Sequence, residues 1–371
     1  MNIVKLVIAF ILSFGQIMAP YAGILFHGGV NSFFEDWSTD SVYETTYAIE
    51  LEKDPNKDFV VLNFTDIQLS PDRVFSESGE FTYDLIRQCV DEVKPDLITL
   101  TGDNSTSTVG YVEIVKLMES FGIPWAPVMG NHDGENGQRI RECWDSYLLS
   151  HAENCLFKFG PADMGYGNYI INITENGKVI HSIFMMDSHS SAEDTEAGKI
   201  NYAPDGTHGY DHLWANQIQW YEWAVNGIAE KAGHTVESSC FMHIPVYEFR
   251  TARDLMCNKV EEGEKDHYYL KDEYSDGNFG ALYEGICSAE GNNGFFEVAK
   301  RLGSTKNMIF GHDHINNMSV VYDGIRLSYG LKSGHGSYWD DDMMGGSVLA
   351  IASDGSATFS HHQVVQTSQP S

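Results

Sequence analysis

Five short runs of metal-ligand residues recur in order along this 371-residue chain. They are Asp66-Ile67-Gln68, Gly102-Asp103-Asn104, Gly130-Asn131-His132-Asp133, Met242-His243-Ile244-Pro245 and Gly311-His312-Asp313-His314. Each follows an apolar stretch that reads as a strand, so each ligand type falls at a strand end. Five such ends imply convergence on one point, the arrangement a two-metal hydrolytic centre needs. Two cations a few ångströms apart require a shared carboxylate, terminal ligands on each side, and open positions for water and substrate oxygens. Asp103, on the tight Gly102 turn, suits the shared position. Asn131 offers an amide oxygen and His243 and His312 offer imidazoles, a nitrogen-rich set suited to zinc, iron or manganese. Asp66 and His314 complete the other metal's ligand set around the shared Asp103. His132 follows a ligand immediately and stands over the site, placed to protonate a leaving oxygen.

These motifs together resemble the calcineurin-like metallophosphoesterase superfamily, whose order is Asp-x-His, Gly-Asp, Gly-Asn-His-Asp/Glu, a lone His, then Gly-His-x-His. The single-domain purple-acid-phosphatase-like branch is the most similar. Its Gly-Asp-Asn, His-Ile-Pro and Gly-His-Asp-His runs correspond to Gly102–Asn104, His243–Pro245 and Gly311–His314. The resemblance covers about residues 58–362. It implies two divalent or trivalent metal ions (iron, zinc or manganese) and a small phosphate-ester substrate. One position departs from the pattern: Gln68 stands where most of the superfamily has histidine. Purple acid phosphatases supply instead a tyrosine three residues after the Gly-Asp aspartate, and here that place is Thr106. Gln68 either ligates through its amide oxygen or hydrogen-bonds a metal water; in both cases the first metal loses a nitrogen donor. The tyrosinate-to-iron colour is not expected.

Two further residues join the candidate set. Asp133 either orients His132 or caps a helix. His335, in Ser333-Gly334-His335-Gly336-Ser337-Tyr338, is a substrate-phosphate contact or an ordinary loop histidine. The main expectation is a phosphate-monoester hydrolase. A phosphodiesterase of the same fold is one alternative, and a catalytically impaired binding protein, favoured by Gln68, is the other.

The elements that must deliver these ligands are legible. Phe59–Phe64 is a buried strand leading to Asp66, and Tyr83, Ile86, Val90 and Val93 form a helical stripe stopped by Pro95. Leu97–Leu100 leads to Asp103, Val112–Phe121 is again helical, and Trp125–Met129 leads to Asn131. Ligands at carboxyl ends of strands are where open α/β sheets place their sites. Asn176-Gly177 between two apolar runs signals a hairpin. Leu213, Trp220, Ala224, Val225 and Ile228 share one face of a long helix whose tryptophans read as packing. Cys240–Met242 and Met308–Phe310 deliver the later histidines, and strands near 319–322, 325–329, 347–351 and 357–361 close the fold. The polar, acidic segment 247–293 shows no sustained period and reads as a cap-like loop over the metal mouth. The expected architecture is a four-layer α/β-β/α sandwich of two mixed sheets with flanking helices, matching the family, in one domain spanning 24–371.

Composition sets the compartment and excludes partners. Lys5 followed by apolar Leu6–Phe14 and small residues near Ala19–Gly23 reads as a secretory signal peptide over 1–23, with a signal anchor as the alternative. Secretion or a lysosome- or vacuole-like compartment follows. No later run is long enough to span a bilayer. Of six cysteines, Cys143–Cys155 and Cys257–Cys287 are candidate short-loop disulfides, while Cys89 and Cys240 read as buried thiols. Asn172 and Asn317 lie in glycosylation sequons. A net charge of −30 argues against nucleic acid or an anionic membrane as partner, since counterion release is replaced by repulsion. A small phosphate ester drawn to metal cations remains compatible.

Overall fold

The computed structural model describes residues 34–133, 152–191, 209–262 and 265–364. The signal-like segment and Cys143 lie outside the described residues. Two mixed sheets face each other. The first has five strands in the order β15-β14-β2-β3-β4, with β2 at Phe59–Phe64, β3 at Leu97–Thr101, β4 at Trp125–Val128, β14 at Gly345–Ile351 and β15 at Ala357–Gln363. β2, β3 and β4 run parallel, so their carboxyl ends emerge at one edge. Their apolar runs are nearly unbroken because both faces are covered. Helices α1 (Glu77–Val93) and α2 (Thr108–Ser120) cover the outer face. Ser76 and Ser107 cap them, each side chain accepting a backbone N–H three residues on. Lys94 ends α1 in the left-handed conformation, just ahead of Pro95.

The second sheet has seven strands in the order β1-β5-β6-β7-β11-β13-β12. They are β1 (Ala48–Glu52), β5 (Tyr169–Glu175), β6 (Lys178–Met185), β7 (Glu237–Phe241), β11 (Thr305–Phe310), β12 (Ser319–Tyr322) and β13 (Ile325–Tyr329). Alternation along these strands builds the layers. Ile171, Ile183, Phe241 and Ile309 point between the sheets. Their neighbours Ile170, Phe184, Cys240 and Phe310 point the other way, onto a core closed by α3 (Ala215–Ala232), α4 (Glu248–Met256) and α5 (Phe295–Leu302). The result is the expected helix–sheet–sheet–helix sandwich. Asn176 and Gly177 both have positive φ, 53° and 72°, in the turn joining antiparallel β5 and β6. Trp220 is buried against Phe184, so that helix face is packing.

Three expectations change. Segment 247–293 is not an unstructured loop. It holds α4 and a small third sheet of β8 (Cys257–Glu262), β9 (Lys265–Leu270) and β10 (Ala281–Leu282). Short elements hid it, since no period lasts long enough to register. Cys257 and Cys287 are not bonded to each other: both are free thiols, Cys257 buried 3.7 Å from the Met318 sulfur and Cys287 on the site rim. Hydrogen bonding between strands, rather than a disulfide, closes that segment. Asn172 is buried in β5 and accepts a 2.8 Å hydrogen bond from Ser182, and half-buried Asn317 accepts one from the Ala281 N–H at 2.8 Å, so both sequon amides are engaged in the fold. Cys89 and Cys240 are buried free thiols. Among the described residues no helix is long and apolar enough to cross a membrane.

Candidate metal centre

Each ligand-bearing residue sits immediately beyond a parallel strand: Asp66 after β2, Asp103 after β3, Asn131 after β4, His243 after β7 and His312 after β11. The two sheets therefore contribute from opposite sides. The turns that aim these side chains are unusual. Asp66, Gln68, Asp103 and His312 have positive φ, of 53°, 47°, 51° and 81°. Side chains other than glycine rarely adopt that region, and such outliers concentrate where function over-determines the backbone. Close approach is built in at the glycines: a Cβ on Gly130 would lie 2.2 Å from Asp103 Oδ1, and one on Gly311 would lie 2.0 Å from Thr65 Oγ1.

Two overlapping clusters result. Asp103, His243 and His312 bring ligand atoms within 4.8 Å of one another, and so do Asp66, Asp103 and His314. Asp103 belongs to both, as a shared carboxylate must. His243 Nε2 lies 3.3 Å from Asp103 Oδ1 and 3.0 Å from Asn131 Oδ1, which adds the amide to the first cluster. Its Nδ1 faces the Thr101 carbonyl at 2.8 Å, fixing the ring. His314 Nε2 is 3.4 Å from Asp66 Oδ1, while its Nδ1 faces the Tyr338 carbonyl at 3.0 Å. Asp66 Oδ1, Gln68 Oε1 and His312 Nε2 are buried with no hydrogen-bond partner. Orphaned buried polar atoms are costly. Asp66 Oδ1 and Gln68 Oε1 are acceptors without partners beside Asp103, and His312 turns its Nδ1 to His243 Nε2 at 3.3 Å, so oxygen and nitrogen donors of the kind a pair of cations takes converge here and the residues fit the metals the motifs imply.

Gln68 lies within this set. Its Nε2 donates to Asp103 Oδ2 at 3.0 Å, leaving Oε1 as the orphan. His132 lies at the mouth, its side chain 39% exposed and its Nε2 3.9 Å from Asp103 Oδ2, outside both ligand clusters. Its backbone N–H donates to Asp103 Oδ1 at 2.8 Å. Asp133 is buried, and the residues after it, where a helix cap would act, lie outside the described residues. Its carboxylate accepts from the backbone N–H groups of Gly130 (2.7 Å), Asn104 (3.0 Å) and Ser105 (3.1 Å), tying the β3 and β4 loops together. Burial and the nearby Asp103 charge raise its pKa to about 6. His335 is sandwiched between Phe81 (centroids 3.8 Å apart) and Trp339 (4.3 Å), so its ring packs in an aromatic stack at the rim.

The electrostatics of the metal-free site follow from this packing. Burial would raise the Asp66 and Asp103 carboxyls, yet His314 and His243 hold them well below the usual range. Burial opposes charge on His243, but Asp103 and Asp66 keep its pKa up at about 10. Burial and charged His243 push His312 down to about 3, leaving it a neutral imidazole.

Three neighbours escaped sequence reasoning. Lys332, buried, donates from Nζ to the Asp66 carbonyl at 2.8 Å and supports its left-handed turn. Tyr210 sets its ring edge-on to His312 with centroids 4.2 Å apart. Glu284 accepts from Tyr338 Oη at 2.7 Å and from the Ile315 N–H at 2.9 Å, fastening segment 247–293 to the metal loops. Only Lys332 had a sequence signal, a lone basic residue just beyond an apolar strand in an acidic chain.

The geometry agrees with comparison to known proteins. The calcineurin-like phosphoesterase family model matches residues 59–316, and the chain belongs to that family. Its relatives place it in the purple-acid-phosphatase-like branch. It is 26% identical over 283 residues to a probable inactive purple acid phosphatase 14 of Arabidopsis thaliana, covering 69% of this chain and 63% of that protein. It is 30% identical over 269 residues to phosphatase DCR2 of Saccharomyces cerevisiae, covering 67% of this chain and 42% of that one. The chain thus spans less than two thirds of these curated relatives. Among solved structures, a dimetal phosphatase from Danio rerio aligns with TM-score 0.50 at 12% identity, over 80% of this chain and 94% of that one, a likeness of fold.

Proposed function

We propose that this protein hydrolyses phosphate monoesters at a dinuclear centre held by Asp66, Gln68, Asp103, Asn131, His243, His312 and His314. The observation that carries the reading is the pair of ligand clusters sharing Asp103, with the orphaned buried acceptors Asp66 Oδ1 and Gln68 Oε1 beside it. Bound iron, zinc or manganese would supply charge to offset the phosphoryl oxygens and acidify a water. The protein's own residues do the rest. Asp103, held by His132 N–H and Gln68, fixes the shared position; His132 at the mouth gives a proton to the departing oxygen as the bond from phosphorus to the leaving group breaks. Asp133 keeps the two ligand loops in register. The relatives named inactive and the Gln68 substitution support a second reading, a fold that binds metal and ligand without turnover. The signal-like first 23 residues support export, with secretion or a lysosome- or vacuole-like compartment as destination. Assay of an aryl phosphate monoester and the matching diester, with Mn²⁺, Fe or Zn²⁺ and with chelator, tests the reading. Metal-dependent monoester release supports it; diester preference favours a phosphodiesterase, and no release with any metal overturns it in favour of the binding protein.

A further inference from the structure

We propose that the rim beside the metal centre is a receptor for an organic cation, so that the preferred ester carries an alkylammonium group on its leaving alcohol. The inference rests on the phosphoesterase reading above and deepens it. Tyr338 stacks on the ligand His314, centroids 4.3 Å apart, and its hydroxyl is held by Glu284 Oε2 at 2.7 Å. Trp339 follows it, stacked on His335 at 4.3 Å and pinned through Nε1 to Asp341 Oδ1 at 2.9 Å. Both rings are nonetheless 44% and 38% exposed, unusual for large aromatics that are rigidly anchored.

The charges around these rings decide what they fit. Glu284 is fixed against Tyr338, and Asp340, Asp341 and Asp342 continue directly from Trp339. Of the cations whose fields reach His335, Lys332 is buried on the Asp66 carbonyl and Arg73 is half-buried, its Nη1 out of contact with solvent, so the exposed charges of the rim are carboxylates. An aromatic face is negative at its centre, and carboxylates beside it add to that field. A neutral planar group would use the faces and ignore the carboxylates, and a polyphosphate would be repelled by them. An alkylammonium ion uses both. Its phosphoryl end then lies toward His314, which Tyr338 already touches.

The test compares two esters of one shape and different charge: phosphocholine and its carbon isostere 3,3-dimethylbutyl phosphate. Phosphate release is measured for the metal-loaded full-length chain and for Trp339→Ala and Glu284→Gln. Wild type should favour phosphocholine in kcat/KM by roughly tenfold or more, the scale of a partly desolvated cation–π contact with a carboxylate. Both variants should bring that ratio toward one. Equal use of the two esters by wild type, or a ratio that survives both substitutions, overturns the proposal. Should neither ester be hydrolysed, the aryl phosphate assay decides the phosphoesterase reading separately, and choline binding itself decides the rim. Choline should then change the fluorescence of wild type but not of Trp339→Ala; no change in wild type overturns the receptor.

Discussion

The two halves of the metal centre are built to different standards. On one side Asn131, His243 and His312 crowd against Asp103, and a carbonyl and a hydrogen-bonded amide fix the ring of His243. On the other, Asp66 and His314 are accompanied by Gln68, whose amide nitrogen is spent on Asp103 and whose oxygen alone is left to face a cation. Imidazole is the stronger donor for borderline metals, so the first half should retain its ion and the second should exchange it. On this reading a dinuclear scaffold would keep its shared carboxylate while one half loses affinity. Nothing in the shared fold has to change for that, because each half hangs from a different set of strand ends.

The largest effect should come from the residue both halves share. Asp103→Asn should lower metal content at both positions and reduce turnover by more than roughly a hundredfold, beyond what loss of a supporting group costs. Elemental analysis that finds one equivalent retained would show that the halves are independent of Asp103. Next in size, His132→Ala should cut kcat by roughly two orders of magnitude while metal content holds, as for a proton donor standing outside the ligand shell. Parallel loss of metal would move His132 into the ligand set and erase the distinction drawn here. Gln68→His should sharpen the comparison from the weak side. It should tighten the looser ion by roughly tenfold or more, and shift its preference from Mn²⁺ or Mg²⁺ toward Zn²⁺ or Fe. Titrations of both proteins against each metal that coincide would mean residue 68 contributes no ligand.

The smallest expected effect on the centre lies far from it and separates scaffold from site. His181, wholly buried, bridges the Gly355 carbonyl at 2.8 Å and Ser239 Oγ at 3.0 Å, tying the two sheets together. Burial lowers its pKa to about 4, so the folded state favours the neutral ring. The unfolded chain takes up the proton near pH 6.5, hence the contribution is complete above that value and is lost as pH falls toward 4. At most about 3 kcal/mol is involved. Thermal unfolding of the metal-free protein should therefore weaken across that window, and His181→Gln should flatten the slope. An unchanged slope would assign the acid sensitivity elsewhere.

Much of the scaffold was legible because period and punctuation are local. The strands Phe59–Phe64 and Leu97–Thr101 and the Asn176-Gly177 hairpin fall where continuous apolar runs and turn residues put them, the second one residue beyond the expected Leu97–Leu100. Segment 247–293 was not, since α4 spans only nine residues, Glu248–Met256, and β10 only two. For Asp133, the motif named the residue but not its tie between two loops. Its partners Asn104 and Ser105 are 29 and 28 positions away in sequence, so only folding could show a clamp between loops.

The sequence by itself determined the ligand types, their order and their placement at strand ends, because those depend on residue chemistry and short-range pattern. Only the tertiary structure decided which ligands share a cluster, that Gln68 turns its nitrogen to Asp103, and that Lys332 supports Asp66 from 266 positions away. Those outcomes depend on two sheets packed face to face, and the distances between their loops are set by the core between them. No local pattern encodes such distances.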